Sequence, residues 1–267
     1  MTKLRTPFRR PTLSAVAAAA IAAAVLAFSG SDANARPLAE IRNSGTIIIA
    51  TEGKFPPFNM MQGNRPAGFE IDVAEAVAKK AGLKVEWKTL GFDALLVGLS
   101  QDRFDEVIAS HGITEERAKA VTFANPHYCT GGIIVAKDPA IQQAKDLSGK
   151  VVAVQVGTTY LDNVKKLPGV KDVKSYAQDN DARAALQTGH VDAWVTDRFV
   201  AKASLAATPG SGLHTGGFLF VERVAAAVAK GNTALADELN KGLAAIMADG
   251  TYAAISQKYF HEDIRCK

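Results

Sequence analysis

Cysteine is nearly absent from this chain: Cys129 and Cys266 are the two in 267 residues. That excludes a scaffold stapled by several bridges. An oxidising compartment allows the two to pair, but the sequence alone does not bring their Cα atoms into range, so two free thiols stand as the alternative. The five histidines, at positions 111, 127, 190, 214 and 261, show no ligand spacing with one another or with the cysteines. No metal site and no cofactor are therefore expected. Long apolar runs are missing as well. Ala15 to Phe28 is the longest, about 14 residues where a bilayer span takes about 20. A surplus of charge is missing too, since the formal net charge is +4 and most of it lies at the start. Residues 1 to 35 hold four Lys or Arg against one acid, a net of 4 − 1 = +3, which leaves 4 − 3 = +1 for the remainder. No stretch after residue 35 interleaves a basic cluster with aromatic residues, so nucleic acid is not an expected partner.

What is present begins with a three-part leader. Lys3, Arg5, Arg9 and Arg10 precede the Ala-rich run, and Ala33-Asn34-Ala35 follows it. Basic, apolar and small-residue regions in that order make residues 1–35 a secretory signal peptide, with cleavage expected after Ala35. The working protein is then expected outside the cytoplasm.

Beyond the leader, short β-branched runs alternate with helical patterns, the signature of α/β architecture with parallel strands. Strands are expected at 46–51, 84–90 and 106–110, with helices at 69–81 and 92–100 between them. A second series follows: strands at 132–137, 151–156, 173–176 and 193–196, helices at 160–166, 182–187 and 198–207. After a strand at 224–229 come two helices, 234–248 and 252–260, with Gly250 placed for the positive φ of a helix end. This reads as two lobes, each a central mostly parallel sheet flanked by helices: 36–131 with a return segment 224–267, and 132–223. Residues 129–132 and 216–223 make the two crossings. A cleft between α/β lobes, near the carboxyl ends of strands, is where a ligand is expected.

Three stretches offer chemistry. Ser110-His111-Gly112-Ile113-Thr114-Glu115-Glu116-Arg117 follows a strand, and Thr114 suits a helix N-cap. A capping box would place Glu or Gln three residues on, where Arg117 stands instead. A cation in the first turn opposes the helix dipole unless its guanidinium meets an anion. A carboxylate site and a solvated surface arginine are both consistent with this octapeptide. Asp197 ends a strand, where it can accept from a ligand ammonium or cap the helix that follows. Phe55-Pro56-Pro57-Phe58 is a braced loop whose two rings can sandwich a ligand or simply pack.

These residues sit in a longer ordered series. Thr51-Glu52-Gly53-Lys54-Phe55-Pro56-Pro57-Phe58, Gly68-Phe69-Glu70-Ile71-Asp72, Asp105, Ile113-Thr114-Glu115-Glu116-Arg117, Phe123-Ala124-Asn125-Pro126, Asp146-Leu147-Ser148-Gly149-Lys150, Val154-Gln155-Val156-Gly157-Thr158-Thr159, Gly189-His190-Val191-Asp192-Ala193 and Asp249-Gly250-Thr251 resemble, in order, the bacterial extracellular solute-binding proteins of family 3. The resemblance covers nearly all of the chain after the leader. It implies a two-lobed periplasmic-binding-protein fold of type II, the two lobes joined by two hinge strands. It also implies a monomer in the periplasm that captures an amino acid by hinge closure and delivers it to the permease of an ABC importer in the inner membrane.

By resemblance, Arg117 clamps the ligand carboxylate with help from Ser110, Gly112 and Thr159, and Asp197 takes the ammonium. Phe55 and Phe92 flank the ligand side chain, and Glu52 and Gln155 tune its choice. Glu52 leans toward cationic side chains and Gln155 toward uncharged polar ones. Three positions depart from the pattern. Gly112 stands where relatives commonly carry a Ser or Thr hydroxyl, His111 replaces Met, Leu or Ile, and Glu52 replaces Asp. A small organic acid is therefore a rival ligand. The rival from another class is a cyclohexadienyl dehydratase, a similar fold with a proton-donating Glu about one turn beyond Asp197. Here that position is Val200, which leaves elimination without its acid.

Overall fold

The computed structural model describes residues 35–266 together with Thr2. The leader expected at residues 1–35 lies, apart from Thr2 and Ala35, outside the described residues. Residues 35–267 form one compact unit.

Along the chain, α1 (Leu38–Ser44) leads into β1 (Thr46–Thr51), followed by a small antiparallel sheet of β2 (Lys54–Phe55), β3 (Asn59–Gln62) and β4 (Arg65–Ala67). Then come α2 (Phe69–Lys80), β5 (Lys84–Thr89), α3 (Phe92–Ser100), β6 (Glu106–Val107), α4 (Glu115–Ala120) and β7 (Val121–Phe123). The next series is β8 (Tyr128–Ala136), β9 (Val151–Gln155), α5 (Thr159–Lys165), β10 (Asp172–Tyr176), α6 (Asp179–Gln187), β11 (Ala193–Asp197) and α7 (Arg198–Ala207). The chain closes with β12 (His214–Val224), β13 (Ala227–Ala229), α8 (Thr233–Ala248) and α9 (Thr251–Phe260).

Two five-stranded sheets carry this chain, in the orders β5-β1-β6-β13-β7 and β10-β9-β11-β8-β12. The two orders follow one plan. In each, a β-α-β series supplies parallel ladders, β1 with β5 and β6, and β9 with β10 and β11. A strand from elsewhere in the chain then adds antiparallel ladders: β13 beside β6 and β7, and β8 beside β11 and β12. The expected parallel units are thus present with antiparallel flanks beside them. Those flanks come from the crossings. Residues 129–132 and 216–223, expected as linkers, lie inside β8 and β12, which pair along their length from Tyr128 with Val224 to Ala136 with His214. Pairing satisfies backbone groups that a bare linker would leave to water.

The helix expected at 69–81 buries Val73, Ala74, Val77 and Ala78 on one face, and α8 and α9 return to pack against it. Gly250 follows the end of α8 with φ 84°, as the sequence pattern predicts. The third expected strand is shorter, ending at Val107, because Ser110 turns into the left-handed region at φ 57°. Asp105 holds the strand start in place, accepting from Ile48 N at 2.7 Å and from Arg36 Nε at 2.9 Å.

The apolar core runs through both sheets, from Ile47, Phe58 and Phe69 to Val152 and Trp194. The loop expected to present two rings presents one. Phe58 is fully buried and stacks on Tyr128 at 4.6 Å between centroids, edge-on to Phe69 and Phe199. Burying such a ring stabilises the fold by about 2 to 3 kcal/mol, which commits Phe58 to packing. Cys129 and Cys266 are joined in a disulfide, with Cα atoms 4.8 Å apart, tying the segment after α9 to the start of β8. No helix among the described residues is long and apolar enough to cross a membrane.

Candidate functional site

A small cavity of about 10 Å³ lies where the ends of β1, β9 and the 110–117 segment face one another. Glu52, Phe55, Phe92, Ser110, Arg117, Gln155 and Thr159 line it, seven of the nine residues expected at the site. Thr158 and Tyr160 complete the lining and were not foreseen. Gly112 and Asp197 stand outside the lining: the Gly112 carbonyl accepts from Arg117, and Asp197 bonds to Thr130, Phe199 and Val200.

Local structure fixes each group. Thr114 caps α4, its Oγ1 accepting from Arg117 N at 3.1 Å, so Arg117 is at N3 as the sequence suggested. Its guanidinium donates through Nη1 to the Gly112 carbonyl at 2.7 Å and through Nη2 to the Gly157 carbonyl at 2.9 Å. It also lies 5.8 Å from the centre of the Phe92 ring. Burial holds its pKa below the ordinary arginine value, with Glu222 and Asp162 acting in the opposite direction. Phe92 stacks its other neighbour, His111, at 4.3 Å and 10°. Burial, then the charge of Arg117, depresses His111 well below the usual imidazole range, which keeps it neutral at pH 7.

The opposite wall comes from β9 and the start of α5. Thr158 caps that helix, accepting from Leu161 N at 3.2 Å. Gln155 Nε2 donates to Glu52 Oε1 at 2.6 Å across the cavity. Burial pushes the Glu52 carboxyl up to about 7, against the Gln155 hydrogen bond. Gly157 sits at φ 74°, and a Cβ there would fall 3.2 Å from Asp93 Cβ and 3.3 Å from Asp93 Cα. The two walls therefore approach at a point where glycine is needed for both conformation and space.

Ser110 and Asp197 are set by carboxylate chemistry. Ser110 donates from its N–H at 2.8 Å and from Oγ at 3.0 Å to Glu70, which also receives Asn59 Nδ2 at 2.8 Å and meets His127 Nε2 at 3.0 Å. Both Ser110 donors are thus committed to Glu70, which leaves none for the ligand carboxylate that the resemblance has Ser110 help to clamp. Asp197 caps α7, with Oδ1 accepting from Phe199 N at 2.7 Å and Val200 N at 3.2 Å. Its Oδ2 accepts from Thr130 Oγ1 at 2.5 Å. The capping role weighed from the sequence is therefore present. Burial nevertheless lifts Asp197 to about 7, against these three donors.

Glu70, Tyr160 and Glu222 are the neighbours that sequence reasoning missed as site residues. Glu70 carries a signal, since it lies in the Gly68–Asp72 motif. Glu222 carries none, because its contacts depend on how β12 passes Gly112. Among the described residues no group of three or more His, Cys, Asp or Glu is arranged to hold a metal ion.

Two α/β sheets with shared crossing strands and a small lined cavity between strand ends define a two-lobed solute-binding fold. Solved structures with this architecture agree. The chain is similar to an ancestral arginine-binding protein bound to arginine, with a TM-score of 0.77, 41% identity, and coverage of 81% of this chain and 98% of that one. It is also similar to an ancestral amino acid-binding protein described as a precursor of cyclohexadienyl dehydratase, with a TM-score of 0.77, 33% identity, and coverage of 84% and 99%. The L-cystine-binding protein of Escherichia coli is 31% identical over 260 residues, 96% of this chain and 97% of that protein. The family model of the bacterial extracellular solute-binding proteins, family 3, matches residues 47–262, and the chain belongs to that family.

Proposed function

We propose that this chain is the extracytoplasmic receptor of an ABC importer and that its ligand is an amino acid. The observation that carries the reading is the pairing of opposite charges around one small cavity. Arg117 lines it with a guanidinium already oriented by two carbonyls and Glu52 lines it with a carboxyl, while Asp197, outside the lining, keeps one acceptor position open. A zwitterion needs both, since an unpaired charge in a dry site is costly. Phe55 and Phe92 then flank the ligand side chain, Glu52 and Gln155 set its polarity, and Thr159 and the backbone at Gly112 assist the carboxylate.

The two lobes are residues 36–131 with 224–267, and 132–223, hinged at β8 and β12. Contacts of Gln155 with Glu52 and of Arg117 with Gly157 are the bonds of a closed form. A ligand that bridges the lobes favours that form, and the inner-membrane permease reads it. The chain acts as a monomer in the periplasm after removal of residues 1–35, with no cofactor. Binding rather than turnover is supported by Val200, which is buried in the core at the position where the dehydratase reading needs an acid.

A thermal-shift screen against the twenty amino acids, L-cystine and simple carboxylates, repeated with Arg117→Ala, tests this. A ligand that binds only the folded chain raises the midpoint with its affinity. One strong amino-acid hit, lost in the variant, is expected. A shift by amine-free carboxylates alone would make the protein an organic-acid binder, and turnover of prephenate or arogenate would make it an enzyme.

A further inference from the structure

Gly112 has no backbone need for glycine, as its φ lies outside the left-handed region. What the absent side chain provides is room. A Cβ built at Gly112 would fall 2.0 Å from Glu222 Oε2 and 3.0 Å from its carboxyl carbon. That carboxyl reaches inward from β12, where Glu222 pairs with Thr130, the residue that donates to Asp197. Its Oε2 accepts from Thr159 Oγ1 at 2.8 Å. Thr159 lines the closed cavity on one side and an open groove, with Phe218, Phe220 and Glu222, on the other. Thr159 thus stands between the two, with Glu222 bonded to it from the groove side.

We propose that Glu222 completes the ligand-carboxylate subsite: through the space left at Gly112 it presents a protonated carboxyl to the ligand carboxylate beside Arg117, so that binding takes up a proton. This rests on the amino-acid reading above and adds to it a specificity residue and a linked proton. Two carboxylates sharing one guanidinium in a desolvated site cannot both stay ionised, and one of them takes the proton. Arg117 spends one N–H of each terminal nitrogen on the carbonyls of Gly112 and Gly157, so a further donor is of use to an incoming carboxylate. The groups facing Glu222 are Arg117 from α4, Thr159 and Tyr160 from α5, Asp197 at the end of β11 and Tyr128 on β8, with Arg198 and Arg223 on the groove side. In the absence of a ligand, burial already raises the Glu222 carboxyl above its ordinary value. Thr159, Arg117 and Tyr160 hold it back.

The test is calorimetric titration of L-arginine and L-cystine at pH 5.5 and 7.0, in buffers of different ionisation enthalpy, on wild type, Glu222→Gln and Glu222→Ala. The proposal expects wild type to take up close to one proton more than Glu222→Gln on binding, so that its affinity relative to that variant rises by up to tenfold per pH unit as pH falls. Glu222→Gln, whose amide still donates, is expected to keep the affinity seen at pH 5.5 and to lose the proton uptake. Glu52 does not feel Glu222, and Asp197 changes between the two proteins only by losing the raising charge of Glu222, so the difference traces to position 222. Glu222→Ala is expected to bind at least tenfold more weakly than wild type at pH 5.5. Gly112→Ser should weaken binding alone and recover with Glu222→Ala. Tighter binding by Glu222→Ala would show a mere competitor for the subsite. Weaker binding by Glu222→Gln with affinity falling at low pH would show an ammonium acceptor. Either result, or equal proton uptake in wild type and Glu222→Gln, overturns the proposal and leaves amino-acid binding standing. Failure of both amino acids here and of all others in the thermal screen overturns the amino-acid reading itself, and the proposal with it.

Discussion

Glu70 and Asp197 are both carboxylates with no exposed surface, yet their surroundings differ by one hydrogen bond. Each oxygen of Glu70 has two partners: Ser110 N and His127 Nε2 on one, Asn59 Nδ2 and Ser110 Oγ on the other. A carboxylate offers about four acceptor sites, so Glu70 is saturated by the protein. Asp197 has two partners on Oδ1 and one on Oδ2, and its carboxyl is raised to about 7 by burial. The first arrangement builds a wall, turning Ser110 into its left-handed conformation. The second leaves one acceptor position open, the place that the proposed function gives to a ligand ammonium.

The largest effect expected around this pair lies on the partner charge. Arg117→Ala should reduce amino-acid affinity by about 3 to 5 kcal/mol, because the ligand carboxylate is then buried without its counter-charge. Isothermal titration reads this, with the midpoint of the unliganded protein changing little. Glu70→Gln should act on stability instead. It sets an amide N–H against donors already in place, and a loss of about 2 to 4 kcal/mol in denaturant titration is expected. Removing the bridge with Cys129→Ala and Cys266→Ala should cost about 2 to 5 kcal/mol of stability with ligand affinity retained, since the bridge closes a long loop away from the cavity. Asp197→Asn sharpens the comparison most directly. It keeps one acceptor oxygen for the cap but loses the charge that meets an ammonium, worth about 1.5 to 3 kcal/mol of binding.

A further effect is a pH dependence of stability from a third buried acid. Glu106 is fully desolvated in the first sheet, with Oε2 unpartnered, and burial pushes it up to about 8. A carboxyl raised in the folded chain stays protonated there while the unfolded chain ionises. Its contribution is therefore complete below about pH 4.5 and is lost as pH rises to about 8. Glu106→Gln should flatten that decline, checked by urea midpoints between pH 5 and 8.5.

Much of this was legible in the sequence, for identifiable reasons. β1, α3 and α7 appear with the expected bounds because continuous β-branched or amphipathic runs need no partner to be recognised. The small sheet of β2, β3 and β4 was missed, as its strands are two to four residues long and include Pro66. Arg117 stood out because a cation at N3 breaks a local rule, although that spacing left a carboxylate site and a solvated arginine both open; its guanidinium lines the cavity. Whether Phe55 and Phe58 packed or faced a ligand was left open, since ring identity says nothing about which side of a turn faces the core. Glu222 was illegible: its meaning depends on Gly112, a residue far away in the chain that acts by lacking a side chain.

The most direct measurement compares an amino acid that binds with its amine-free analogue, titrated into wild type and Asp197→Asn. The account predicts that wild type prefers the amino acid by tenfold or more and that the variant loses most of that preference while keeping its fold. An unchanged preference in the variant would contradict it, placing the ammonium elsewhere and leaving Asp197 as a helix cap alone.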